Sequence, residues 1–164
     1  VAVLDGGLQA WQAAGHPLTQ VLPAKRPASF VARIRDCLVD AGYVQSFLAT
    51  SRMYLVDARS TDRFRGENET IDPVAGHIPG AVNRFFRDNL QADGRFKSPA
   101  ELRAEWLALL AGARPEAVVH QCGSGVSACH SMLAMEIAGL PGSRLYAGSW
   151  SEWCADPARP VVRP

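Results

Sequence analysis

Apolar positions along the chain fall into short compact runs separated by stretches with helical spacing. Met53-Tyr54-Leu55-Val56-Asp57 and Ala117-Val118-Val119-His120-Gln121 have the length and β-branched content of buried strands. Ser98-Pro99-Ala100-Glu101 is a capping box with proline at the first helical position. It opens a helix to about Ala111 with Leu102, Trp106, Leu109 and Leu110 on its apolar side. Ala128, Met132, Met135 and Ile137 mark another packed helix, from Ala128 to Gly139. Phe30-Val31-Ala32 and Ala81-Val82-Asn83 read as short strands, Asp40 as the cap of a helix to about Leu48, and Ser60 to Phe64 as a short helical turn. Arg65 to Gly80 is a long loop. Strands alternate with helices throughout, which predicts an α/β fold with a mainly parallel central sheet covered by helices on both faces. In such sheets ligands sit at the carboxyl ends of the strands, where Asp57, Arg59 and Cys122 fall.

A pattern at the start of the chain returns near its end. Val1-Ala2-Val3-Leu4 reads as a strand, and Asp5-Gly6-Gly7 turns it into a short helix, Leu8 to Ala14. Leu145 to Trp153 matches Val3 to Trp11 at an offset of 142 residues, with Gly6/Gly148, Leu8/Trp150 and Trp11/Trp153 in register and a proline-containing exit after each copy. That period is too long for a solenoid unit and suits a duplicated module. The expected organisation is therefore a last strand and helix of one module over residues 1–14, a stiff linker over 15–29 with Pro17, Pro23, Lys25, Arg26 and Pro27, and a complete module over 30–164.

Composition narrows the function. Hydrophobic residues make up 48% and charged ones 20%, a globular rather than a disordered balance. A net charge of +1, from 17 basic and 16 acidic residues, supplies no field to gather nucleic acid or an anionic membrane. No apolar run reaches the roughly 18 residues of a membrane span and no secretion signal opens the chain, so a cytoplasmic location is expected. Cys37, Cys122, Cys129 and Cys154 are too irregularly spaced for a disulfide framework and read as free thiols.

The chemistry concentrates in Cys122-Gly123-Ser124-Gly125-Val126-Ser127, at the turn from a buried strand into a helix. Two glycines let the backbone curl, and successive amide N–H groups in such a curl bind anions, reinforced by the helix N-terminus. A thiol in that field is expected to ionise easily, so Cys122 is the candidate nucleophile. A phosphate-binding loop wants a lysine after the glycines, and a dinucleotide fingerprint a third glycine where Ser127-Ala128 stand. A cysteine phosphatase needs an arginine where Ala128 stands. A metal site from His120, Cys122, Cys129 and His130 is disfavoured, because Cys129 and His130 are consecutive on a helix and diverge by about 100°.

Five separated motifs carry a family resemblance: the Cys122 loop, Val56-Asp57-Ala58-Arg59, Arg63-Phe64-Arg65-Gly66, Gly76-His77-Ile78-Pro79-Gly80-Ala81 and the Tyr146 to Trp153 ending. In this order they resemble the catalytic domain of rhodanese-type sulfurtransferases, over about residues 30 to 160. The resemblance implies a rhodanese-like three-layer fold. It also explains the repeat, since the longer members are tandem, an inactive N-terminal domain preceding the catalytic one; a missing N-terminal rhodanese domain is then the expected partner. The implied reaction has two displacements, with no cofactor: Cys122 takes the sulfane sulfur of a small anionic donor, and the persulfide then passes it to a thiol or cyanide acceptor. Ser124 is implied to activate the cysteine or polarise the substrate, Arg63 to bind substrate, Gly123, Gly125, Val126 and Ser127 to hold the persulfide charge through their N–H groups, and Phe86 to wall the pocket.

The donor is divided between 3-mercaptopyruvate and thiosulfate. Gly123 and Ser124 after the cysteine resemble the mercaptopyruvate enzymes, as thiosulfate enzymes more often place two cationic residues there. The mercaptopyruvate enzymes also carry a second arginine nine residues after Arg63, where this chain has Asp72; Arg84 or Arg65 are the candidates to compensate. Cys129 reads as a buried filler, His77, His120 and His130 as structural, Trp150 and Trp153 as packing of the last helix, and Arg59 as a clamp or an ion-pair partner of Asp57. The competing reading is a non-catalytic rhodanese-like module for protein interaction or regulation.

Overall fold

The computed structural model describes residues 2–24, 27–48 and 50–163. Val1, Lys25, Arg26, Ala49 and Pro164, which belong to the expected strand, linker and module, lie outside them. The elements are α1 (Gly7–Ala13), β1 (Leu38–Val39), α2 (Ala41–Phe47), β2 (Tyr54–Asp57), α3 (Thr61–Arg65), β3 (Val82–Asn83), α4 (Pro99–Leu110), β4 (Val118–Gln121), α5 (Val126–Ile137), β5 (Arg144–Tyr146) and α6 (Ser149–Ala155). The five strands form one sheet in the order β1-β5-β4-β2-β3, and every pairing is parallel.

Alternation along the strands sorts the core into two faces. Leu55 and Val119 turn to one side, where they pack with Ala41 and Val44 of α2 and with Trp150 and Trp153 of α6. Val56 and Val118 turn to the other, against Leu102, Trp106 and Leu110 of α4 and Ala134 and Met135 of α5. The result is the three-layer α/β arrangement expected from the sequence. β4 is buried at all four positions because it is covered on both faces and paired on both edges.

Local signals place the helices. Asp40 accepts the Tyr43 N–H at 2.7 Å, and the Ser98–Glu101 capping box forms reciprocally. α5 starts two residues ahead of the expected Ala128, because Gly125 at φ 82° completes the turn and caps the helix.

Two expected strands do not form among the described residues. Residues 2–4 are not paired, and Val3 and Leu4 are 65% and 55% exposed. Phe30-Val31-Ala32 is also irregular, with Phe30 83% exposed. Both segments have strand-forming residues but no sheet edge to join, since the edge beside β5 is taken by Leu38 and Val39 pairing with Leu145 and Tyr146. No helix among the described residues is long and apolar enough to cross a membrane.

His120 sits in the middle of this core. It is fully buried on β4, edge-on to Trp106 with ring centroids 5.6 Å apart, and neither ring nitrogen has a hydrogen-bond partner among the described residues. Burial lowers its pKa to about 3, so the folded protein holds it neutral. Below the ordinary histidine value the unfolded chain binds a proton that the folded one refuses. Stability from this group is therefore complete above about pH 6.5 and lost progressively as pH falls toward 3, with a slope of at most about 1.4 kcal/mol per pH unit. Urea unfolding between pH 7 and pH 4 is expected to show this acid limb in the parent protein and a shallower one in His120→Gln; equal slopes would contradict it.

Candidate active site

β4 ends at Gln121, and the next residue, Cys122, lies at the carboxyl edge of the sheet. Its loop is held from outside. The Trp150 N–H donates to the Cys122 carbonyl at 3.0 Å, and the Ser151 N–H to the Gly123 carbonyl at 2.9 Å. With those carbonyls engaged by the first turn of α6, the amide N–H groups of Gly123, Ser124, Gly125, Val126 and Ser127 find no acceptor among the described residues. Free N–H groups in sequence at the start of a 12-residue helix form a cradle for an anion. Gly125 is required beneath it, because a β-carbon there would stand 2.6 Å from the Ala147 carbonyl oxygen.

Ser149 supports Cys122 from behind. It is fully buried at φ 54°, a left-handed conformation that costs a non-glycine residue about 1 kcal/mol. Its Oγ accepts the Cys122 N–H at 3.1 Å and donates to the Tyr146 carbonyl at 2.9 Å. The corresponding residue in the N-terminal copy of the repeat is Gly7, at φ 61°.

A cavity of about 250 Å³ opens over the loop. Seven of the eight candidate residues line it: Cys122, Gly123, Ser124, Val126, Ser127, Arg63 and Phe86. The eighth, Gly125, is buried against Ala147 instead and shapes the turn. Cys122 is 2% exposed and packs with Ala58, Ala128 and Leu145, with Phe86 against that cluster. Ser124 is exposed at the rim and makes no hydrogen bond to Cys122 among the described residues. A larger cavity of about 600 Å³ lies at the opposite, amino ends of β2 and β4, between Arg52, Tyr54 and Arg114, and contains none of the candidate residues.

Charged side chains next to the cavity are tightly paired. Arg59 binds Asp57 through Nε and Nη2, the Gly76 carbonyl through Nη2 and Glu69 through Nη1, with its guanidinium 4.7 Å from the Trp150 ring. It is an ion-pair partner rather than an open clamp. Arg63 binds both oxygens of Glu69 through Nε and Nη2, and Asp72 through Nη2 at 3.1 Å. Burial alone would raise the Glu69 pKa, but the Arg63 hydrogen bond and the N–H groups of Asp72 and Ile71 outweigh it and hold the carboxyl below its ordinary value. Asp72 in turn accepts the Ser151 hydroxyl at 2.6 Å.

Several expectations are corrected here. Arg84 does not compensate for Asp72: it pairs with Glu105 at 2.6 Å and lies over the Trp106 ring. Arg65 is exposed and lines no part of the cavity. Cys129 is exposed rather than a buried filler, because α5 buries Ala128, Ser131, Ala134 and Met135 and position 129 lies about 100° away. His77 takes its structural role, stacked on Phe64 with Nδ1 2.9 Å from the Phe64 carbonyl oxygen. Sequence reasoning missed Glu69, Ser149 and Ser151. Only Ser149 had a signal, as a serine where the other copy of the repeat has a glycine.

Comparison with known proteins gives one consistent picture. Residues 40–156 match the rhodanese-like domain family. A probable 3-mercaptopyruvate sulfurtransferase of Pseudomonas aeruginosa is 52% identical over 163 residues, covering 99% of this chain and 57% of that protein. The thiosulfate sulfurtransferase of Bos taurus and the 3-mercaptopyruvate sulfurtransferase of Homo sapiens are each 39% identical over 157 residues, covering 93% of this chain and 52% of theirs. The chain thus spans about half the length of the curated relatives it matches. Among solved structures, the anaerobic ergothioneine biosynthesis enzyme from Chlorobium limicola superposes with a TM-score of 0.82 at 25% identity, over 98% of this chain and 40% of its own. A structure of EanB with ergothioneine covalently linked to a persulfide cysteine matches with the same score, identity and coverage.

Replacing Ser149 separates its two roles. Ser149→Ala keeps the left-handed backbone and leaves the buried Cys122 N–H unpaired, so a loss of about 2 kcal/mol is expected in urea unfolding. Ser149→Gly loses the same hydrogen bond but not the backbone strain, and should recover about 1 kcal/mol of that. Equal stabilities of the two variants would refute the strain account.

Proposed function

The chain belongs to the rhodanese-like domain family, and from that premise we propose that it carries sulfane sulfur as a persulfide on Cys122, between a small anionic donor and a thiol or cyanide acceptor. The observation that carries this reading is the cradle of unpaired amides at residues 123–127, beside a cysteine that lines a cavity at the carboxyl edge of the sheet. That backbone is suited to a negative charge about one sulfur atom beyond Cys122 Sγ, where the outer sulfur of a persulfide would sit. The names of the sulfurtransferase relatives, and the persulfide cysteine described for EanB, support the same chemistry.

In the first step the Cys122 thiolate attacks the terminal sulfur of the donor. With thiosulfate the sulfur–sulfur bond breaks and sulfite leaves; with 3-mercaptopyruvate the carbon–sulfur bond breaks and pyruvate leaves, the thiol proton ending on its methyl carbon. In the second step a thiolate or cyanide attacks the outer sulfur and Cys122 departs as thiolate. Arg63 presents a nitrogen toward the loop at Gly123 and is the candidate contact for the donor's anionic end. Phe86 closes the wall beside the thiol, and Ser124 at the rim is placed to contact the donor rather than the thiol.

We also propose that Val3 to Trp11 is the counterpart, in a preceding rhodanese module, of Leu145 to Trp153. The shared left-handed backbone at Gly7 and Ser149, and the greater length of the relatives, support it.

Incubation with thiosulfate or 3-mercaptopyruvate, followed by intact-mass measurement, is expected to add one sulfur atom to the protein and none to Cys122→Ser. No gain with either donor, together with a Cys122 that resists alkylation near neutral pH, would instead favour a non-catalytic interaction module.

A further inference from the structure

Three arginines line the Cys122 cavity and the cavity that adjoins it, and they are not in the same state. Arg59 and Arg63 are engaged by the buried carboxylates of Asp57, Glu69 and Asp72. Arg87 is exposed, and its guanidinium has no hydrogen-bond or ion-pair partner among the described residues, its chain neighbour Asp88 included. It stands 6.0 Å from the centre of the Phe85 ring and 5.8 Å from that of Phe86, and both rings also line the Cys122 cavity. A cation seated on aromatic rings is held in place with its charge still available.

The platform beneath Arg87 is firmly tied. Phe86–Asn89 is a single 3-10 turn. Asn89, fully buried, donates to the Phe86 carbonyl at 3.1 Å and accepts from Arg84 Nε at 3.0 Å, while the Phe86 N–H donates to the Ala58 carbonyl at 3.2 Å. Arg87 lines the adjoining cavity, about 560 Å³, with Phe86, Leu90, Gln91 and, from around the start of α1, Gly6 and Gln9. The Phe96 N–H fixes that end of α1 by donating to Asp5 Oδ1 at 3.0 Å. Phe86 belongs to both cavities, which therefore meet across its ring.

We propose that Arg87 is an acceptor-binding residue and that it selects thiol acceptors bearing a carboxylate. The inference rests on the sulfurtransferase reading and names the acceptor class for that site. Once Cys122 carries sulfur, the amides of residues 123–127 are taken by the persulfide charge, and a second anion brought into the same small cavity is repelled. An anionic acceptor needs a cation outside that cavity, and the unpaired guanidinium beside Phe86 supplies it. The acceptor's chain lies in the adjoining cavity, and its thiol reaches the outer sulfur across the Phe86 ring. The transfer balances: an acceptor RSH and the Cys122 persulfide anion give the Cys122 thiolate and RSSH. The sulfur–sulfur bond to Cys122 breaks, one to the acceptor sulfur forms, the thiol proton passes to the outer sulfur, and no oxidant or reductant enters.

Two acceptors of the same length isolate the carboxylate. 6-Mercaptohexanoate and 6-mercaptohexanol share a chain long enough to cross a phenyl ring, and their thiols are of nearly equal basicity because the carboxylate is remote. The protein is loaded with sulfur from thiosulfate or 3-mercaptopyruvate, freed of donor and mixed with an excess of either thiol, and loss of the added sulfur is followed by intact mass. The ratio of the two rate constants within one variant cancels any loss of folded or active protein.

In Arg87→Gln the ratio of the mercaptohexanoate rate to the mercaptohexanol rate is expected to fall about fivefold at low ionic strength. Arg87→Lys keeps the charge and should restore most of it, and added salt should shrink the difference between the parent and Arg87→Gln. Arg114→Gln removes an exposed cation at the opposite, amino edge of the sheet and should leave the ratio within about twofold. An unchanged ratio in Arg87→Gln, or an equal fall in Arg114→Gln, would overturn the assignment. If neither donor places sulfur on Cys122, the sulfurtransferase reading itself fails and the assignment with it, a result distinct from an unaltered acceptor ratio.

Discussion

The amides of the Cys122 loop are free because its carbonyls are not. The N–H groups of Trp150 and Ser151, at the start of α6, bind the carbonyls of Cys122 and Gly123, and Ser149 Oγ takes the Cys122 N–H. A peptide group whose carbonyl is tied on one side presents its N–H on the other. Three consecutive residues of one helix thus determine the direction of the loop, and the left-handed backbone at Ser149 is the local cost of bringing them there. Gly125 makes the approach possible from the other partner, as any side chain would collide with Ala147. Cys122 and the last helix are parts of one hydrogen-bonded unit.

Electrostatics around that unit divide the work between fixed dipoles and paired ions. The guanidinium groups close to the site are engaged by buried carboxylates, so they serve first as internal braces: Arg59 ties the end of β2 to the long loop through Asp57, Glu69 and the Gly76 carbonyl. Buried pairs of this kind contribute less to stability than their number suggests, but losing one partner leaves a charge with no solvent to receive it. On the proposed function, anion recognition falls to backbone N–H groups, which need no counter-charge and lose nothing to rearrangement when a ligand arrives. Sulfur anions are large and polarisable, and a curved set of weak donors suits them.

The sheet brings these parts together. β2 and β4 are neighbours, and the ladder continues past their ends: the Ala58 N–H binds the Gln121 carbonyl, and the Phe86 N–H binds the Ala58 carbonyl. Arg59 and Arg63 after β2, Phe86 after β3 and Cys122 after β4 consequently open onto one cavity, although 63 separates the first arginine from the cysteine by count of residues. The strand pairing, rather than any contact within the loop, sets which wall faces the thiol.

Local signals were sufficient for much of this. The buried runs, the capping box at Ser98, the cap at Asp40 and the cysteine at a strand-to-helix turn are properties of near neighbours in the chain, and each formed in place. Seven of the candidate residues meet at one cavity because motifs at strand ends converge wherever the strands are parallel and adjacent. Tertiary structure decided the rest. Val3 and Phe30 have the chemistry of strand residues and remain exposed, since a strand exists only where a partner edge is vacant. Two-residue strands such as β1 carry too few positions to show a period. Glu69 and Asp72 lie in an irregular loop where spacing has no meaning, and their roles depend on Arg63 and Ser151, the latter 79 residues beyond Asp72. A sequence displays the groups that can carry charge. Only the fold determines which of those charges are left over once the buried pairs have been made.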